Sequence, residues 1–160
     1  MKEYYPFKLI QNHQESYCIW YCSEKEGFIM DTRKVKTFHS LEELALFARF
    51  KKIKLEDYET SLSFDYATSW LQEKHKRIDS LYFLNFWNII SDVAHSVGDE
   101  FYGNSDEGKI NNLYDKLLFG NNEVELKPED KRNLQMWNDE EIFEFEKIVE
   151  DGLHLVNQYF

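Results

Sequence analysis

Cysteine, proline and glycine are all scarce in this chain, and each scarcity closes off a class of protein. Cys18 and Cys22 are its only cysteines. Two are too few for the dense disulfide framework of small secreted folds, so a reducing compartment is expected. Two prolines and six scattered glycines in 160 residues leave no flexible linker, no phosphate-cradling glycine loop and no dinucleotide fingerprint. A nucleophile elbow and a zinc-binding pair of His around a Glu are missing too. Long hydrophobic runs are equally absent: the most apolar segment, Leu81 to Val97, is broken by Asn85, Asn88, Ser91, Asp92 and His95, which rules out a membrane span. Met1 to Pro6 holds no basic patch leading into an apolar stretch, so no signal peptide is expected. The expectation is a cytoplasmic protein that is not an enzyme and carries no cofactor or metal.

Apolar material is nevertheless plentiful. Hydrophobic residues make up 42% of the chain and aromatics 17%, too much for disorder and enough for the core of one domain spanning residues 1–160. Charge is uneven along that domain. Residues 1–60 hold ten acids and ten bases, so the net charge of −11 comes wholly from residues 61–160. A field of that sign repels nucleic acid and anionic membrane and attracts basic proteins.

The patterning predicts an α+β fold: a small N-terminal antiparallel sheet with a helix, followed by a predominantly helical C-terminal two-thirds. Tyr17 to Cys22 is aromatic and apolar on both faces, as in a buried strand. Phe28 to Met30 follows a turn as its hairpin partner, and Tyr4 to Ile10 adds a strand that Pro6 would confine to an edge. Ser40 and Glu43 form a capping box opening a helix to about Phe50. Ile53 and Leu55 alternate with lysines and read as one more short strand. Helical periodicity then takes over. Phe64, Ala67, Trp70 and Leu71 share a face, with Lys74, Lys76 and Arg77 placed where the helix dipole favours cations. Asp79 caps the Leu81–Val97 helix and Gly98 stops it; Ile110 to Leu118 form another, closed by Gly120. Asn138 opens the last, whose Gly152 would admit a close neighbour. The connections Asp99 to Gly108 and Asn121 to Trp137 read as loops within the domain.

Three groups of residues have the types that chemistry uses. Cys18 and Cys22 share a strand face, but without two further ligands or a helix N-terminus they read as buried structural thiols. Asn85, Asn88, Asp92 and His95 line up along one helix; Asp92 could orient His95 as a base, or the four could form a polar docking seam. The third group is the loop. Asp99, Glu100, Asp106 and Glu107 surround Phe101 and Tyr102 and lack the alternation of a calcium loop; they read either as a solvated connection between helices or as an aromatic anchor ringed by carboxylates for a basic partner.

Two of these stretches resemble a known family. Leu84 to Ala94 (LNFWNIISDVA) and Leu113 to Asn122 (LYDKLLFGNN), with Trp137, Glu140, Glu141, Gly152 and Leu153, are similar to immunity proteins of contact-dependent growth inhibition. The resemblance implies a bacterial antitoxin that binds the cognate C-terminal toxin domain, a basic protein such as a nuclease, and neutralises it. An acidic regulatory or adaptor module is the alternative.

Overall fold

The computed structural model describes residues 1–121 and 136–160. Among them the fold is α+β: a mixed sheet at the N-terminal end, then helices packed on it. Strands β1 (Glu3–Gln11) and β2 (Gln14–Cys22) form an antiparallel hairpin. Its turn is Asn12-His13, both left-handed at φ 52° and 61°. Two consecutive positive φ values match the right-handed twist of paired strands. Asp65 fastens this turn, its two carboxylate oxygens accepting from the Asn12 and His13 N–H groups at 2.7 and 2.8 Å. β3 (Gly27–Phe28) pairs antiparallel with β2, and a separate two-residue ribbon follows from β4 (Met30–Asp31) and β5 (Lys34–Val35).

The expected sheet is corrected in two places. Ile53 and Leu55 do not form a strand: the end of helix α1 (Leu41–Phe50) claims Ile53, and Leu55 makes only a single parallel bridge to Tyr4 of β1. Lys52 is left-handed at φ 55°, and the N–H groups of Lys52 and Ile53 return to the carbonyls of Arg49 and Ala48. That Schellman turn buries Ile53 against α1. The fourth strand is instead β6 (Thr60–Ser63), which joins β1 in parallel, so the sheet is not purely antiparallel. β1 is therefore central rather than an edge. Pro6 survives there because it falls in a gap: Glu56 donates its N–H to Tyr4, and the β6 ladder begins only at Phe7. The missing N–H of Pro6 is asked for by neither contact.

Both faces of the sheet are covered. Ile19 packs with Phe38, Leu44 and Ala48 of the α1 layer. Phe7, Leu9 and Cys18, on the opposite face, meet α2 (Phe64–Gln72), α3 (Ser80–Val97) and α5 (Asp139–Tyr159) in the main core. Asp79 caps α3 by accepting from Tyr82 N at 3.0 Å, and Gly98 ends it at φ 71°. Phe83, Phe86, Trp87, Ile90, Val93 and Ala94 of α3 are all buried, which makes it the central helix. α5 crosses it at Gly152, where a Cβ would stand 2.9 Å from the Phe86 ring. α4 (Gly108–Asn121) runs past Gly120 instead of closing there. α2 ends at Gln72, before the predicted cations, yet Lys76 still serves its C-terminus by donating to the carbonyls of Leu71 and Glu73. No helix among the described residues is long and apolar enough to cross a membrane.

Candidate partner-binding surface

The acidic loop starts where Gly98 turns the chain off α3. Phe101, 4% exposed, plugs the loop into the core against Trp87. A short 3₁₀ turn, Tyr102–Asn104, then leads toward α4. With Phe101 turned inward, Tyr102 lies half-buried across α5. Its N–H donates to Asp151 Oδ2 at 2.8 Å and its hydroxyl to Glu144 Oε2 at 3.0 Å. Tyr102 is thus tied within its own chain, and the buried aromatic of the pair is Phe101.

The remaining predicted loop residues divide by engagement. Asp99 accepts from the Tyr159 hydroxyl at 2.6 Å, which with the Glu100 N–H holds its carboxyl below the usual range. Glu100, Asp106 and Glu107 are exposed; Asp106 accepts from Asn111 at 3.4 Å and Glu107 pairs with Lys109 at 3.5 Å. Lys109 also reaches Glu144, 3.2 Å away, and Lys147 reaches the same carboxylate at 3.1 Å. Hydrogen bonding to Lys147, then to Tyr102 and Lys109, lowers the Glu144 pKa. The loop and α5 therefore present one surface. Asp99, Glu100, Asp106, Glu107, Glu144 and Asp151 stand there against Lys109 and Lys147, six acids to two bases.

The same surface runs into a groove of about 800 Å³ between α4 and α5, which shares Lys109 and Glu144 with it. Leu113, Phe119 and Phe143 line the groove, with Phe143 59% exposed. Sequence reasoning missed this aromatic wall. Its signal was Phe143 itself, which sits beside the inward stripe of Phe145 and Val149 and not on it.

The other two groups resolve differently. Asp92 does not orient His95: it accepts from the Trp20 indole N–H of β2 at 2.8 Å, while His95, Asn85 and Asn88 are exposed. Burial lifts Asp92 to about 6, opposed by the Trp20 bond and reinforced by Glu26. Cys18 is fully buried and its thiol pKa raised by that burial. Cys22 is not buried as expected. It sits at the end of β2, half-exposed, with its Sγ donating to Glu26 at 3.4 Å. Both thiols are free, and among the described residues no group of His, Cys, Asp or Glu is arranged to hold a metal ion. The predicted Asn121 to Trp137 connection lies almost wholly outside the described residues; Trp137 packs on Phe145. No family model, curated protein or solved structure matches the chain.

Proposed function

We propose that this protein is a cytoplasmic immunity protein of contact-dependent growth inhibition, which binds the cognate toxin domain and blocks it. The observation that carries the reading is the continuous acidic surface of the 99–107 loop and α5, running into the Phe119–Phe143 groove. Carboxylates around an apolar recess suit a basic protein partner: the charges speed encounter, and an aromatic in the recess slows release. A nuclease domain is such a partner, because a surface that holds phosphate is basic. The stretches around Trp87 and Tyr114 that resemble the immunity family support the same reading. Their residues meet in the fold, with the Trp87 and Tyr114 rings 5.4 Å apart and the Tyr114 hydroxyl donating to Asn88.

The test is co-expression with the C-terminal toxin domain of a candidate cognate exported protein and with unrelated toxins. Protection from the cognate toxin alone, with a one-to-one complex of purified proteins, is the expected result. Protection without a stable complex, or none at all, overturns it.

A further inference from the structure

A second cleft, of about 460 Å³, opens between α3 and the sheet; Asn88 separates it from the recess beside Asp106. Its walls combine aromatic and apolar side chains, acids, and the neutral polar Thr60, Ser61, Asn85 and Asn88. Trp20, Tyr58 and Ile89 are aromatic or apolar, while Glu26, Glu59 and Asp92 are acids. Among the described residues no Lys, Arg or His lines it. Tyr58 stands 69% exposed on the adjoining segment before β6. Only Oδ2 of Asp92 is engaged, by the Trp20 indole N–H; no described hydrogen bond reaches its Oδ1. Thr60 also lines the cleft, and its hydroxyl oxygen is buried without a hydrogen-bond partner.

Three carboxylates, of which only Glu59 feels a nearby cation (Lys8), share the cleft with the Trp20 and Tyr58 rings, and that lining is the complement of one group. A guanidinium is planar and weakly hydrated, stacks on aromatic faces and donates N–H groups in a fork; an ammonium is more strongly hydrated and less suited to a half-enclosed site. We propose that this cleft receives an arginine side chain of a protein partner, its guanidinium paired with Asp92 and flanked by Trp20 and Tyr58. The inference rests on the protein-binding reading but can be tested without the toxin. It also carries a pH dependence. Asp92, lifted to about 6 by burial, faces Trp20, Cys22 and Glu26 from the β2 side; Glu59 shares the cleft from the segment before β6, and exposed His95 lies farther along α3. Arginine should therefore bind well above pH 6 and poorly below it.

The experiment is titration of the intact ¹⁵N-labelled protein with arginine amide, lysine amide and the neutral isostere citrulline amide, followed by NMR. Arginine amide should shift the Trp20 indole N–H saturably above pH 7, and citrulline amide should not. Asp92→Asn should weaken the effect at least about tenfold, in line with loss of a charge-assisted pair. Glu59→Gln, on the exposed rim, should weaken it by a smaller factor without touching the core. Equal shifts with citrulline amide or lysine amide, or shifts confined to the Tyr102 loop, overturn the proposal. Arginine binding without any toxin complex would sink the immunity reading and leave the cleft standing; a toxin complex with an indifferent Trp20 would do the reverse.

Discussion

Asp92 shows how far a single residue can be read from sequence. Its place in a line with Asn85, Asn88 and His95 follows from helical spacing. Its actual partner, Trp20, is 72 residues away on β2, and no local pattern announces such a contact. Burial raises its folded pKa to about 6, above the ordinary value of an unfolded aspartate. Between those two values the folded state holds more protons at Asp92 than the unfolded one, so the contribution of Asp92 to stability is greatest below the unfolded pKa and falls as pH rises toward 6. Asp92→Asn removes this titration. Its denaturation midpoint should vary less than the wild type's between pH 4 and 6, and should equal or exceed it at pH 7.5. An unchanged pH profile would mean that Asp92 is not the group responsible. Core positions are simpler. Ile90 is fully buried and Leu84 only half-buried, so Ile90→Ala should cost ~2–5 kcal/mol. Leu84→Ala should cost less than Ile90→Ala in the same denaturant titration.

Elements were most legible where caps and a 3.6-residue stripe coincide. Ser40, Asp79 and Asn138 each accept from the N–H three residues on, at 3.2, 3.0 and 2.9 Å, so α1, α3 and α5 begin where their cap residues stand. Strands were legible only when apolar. Thr60-Ser61-Leu62-Ser63 carries one hydrophobic residue, and its strand exists because β1 offers it a parallel ladder. Ile53 and Leu55 alternate correctly, but Lys52 turns left-handed and Ile53 is spent on ending α1. Pro6 misled for the same reason: its tolerance depends on where β6 begins. Gly152 was read correctly as a close-approach site. There, alanine would gain roughly 1 kcal/mol of helix propensity, yet its Cβ would press on Phe86 at 2.9 Å and Ile90 at 3.2 Å. Overpacking of that kind costs ~1–3 kcal/mol, so Gly152→Ala should be net destabilising in thermal melts. If the melt shows a gain, α3 and α5 pack more loosely than their geometry implies.

At the scale of the whole molecule, the excess of acids after residue 60 was legible as a number but not as a surface. The loop and α5 lie far apart in the sequence; Tyr102, Lys109 and Glu144 make them one surface. Glu144 and Asp151 are engaged by Tyr102, and Glu144 also by Lys109 and Lys147, so neutralising them would disturb the fold as well as the charge. Glu100, Asp106 and Glu107 are exposed and can be changed with little structural effect. Their amide variant should associate more slowly with the toxin domain and with a weaker salt dependence, its dissociation rate nearly unchanged, because exposed rim charges act on encounter. Phe143→Ala should do the opposite, raising the dissociation rate by tenfold or more if the groove is the anchor, since central anchors are worth at least ~2 kcal/mol. Tyr102→Phe, which keeps the ring and removes one of the three partners of Glu144, should lie between them. A control set of exposed acids elsewhere, Glu24, Glu42 and Glu73, changes net charge by the same three units. If that set slows association as much as the loop set does, encounter follows the total charge of −11 and not the surface around Tyr102. If it does not, the partner is steered to this face before the groove is filled.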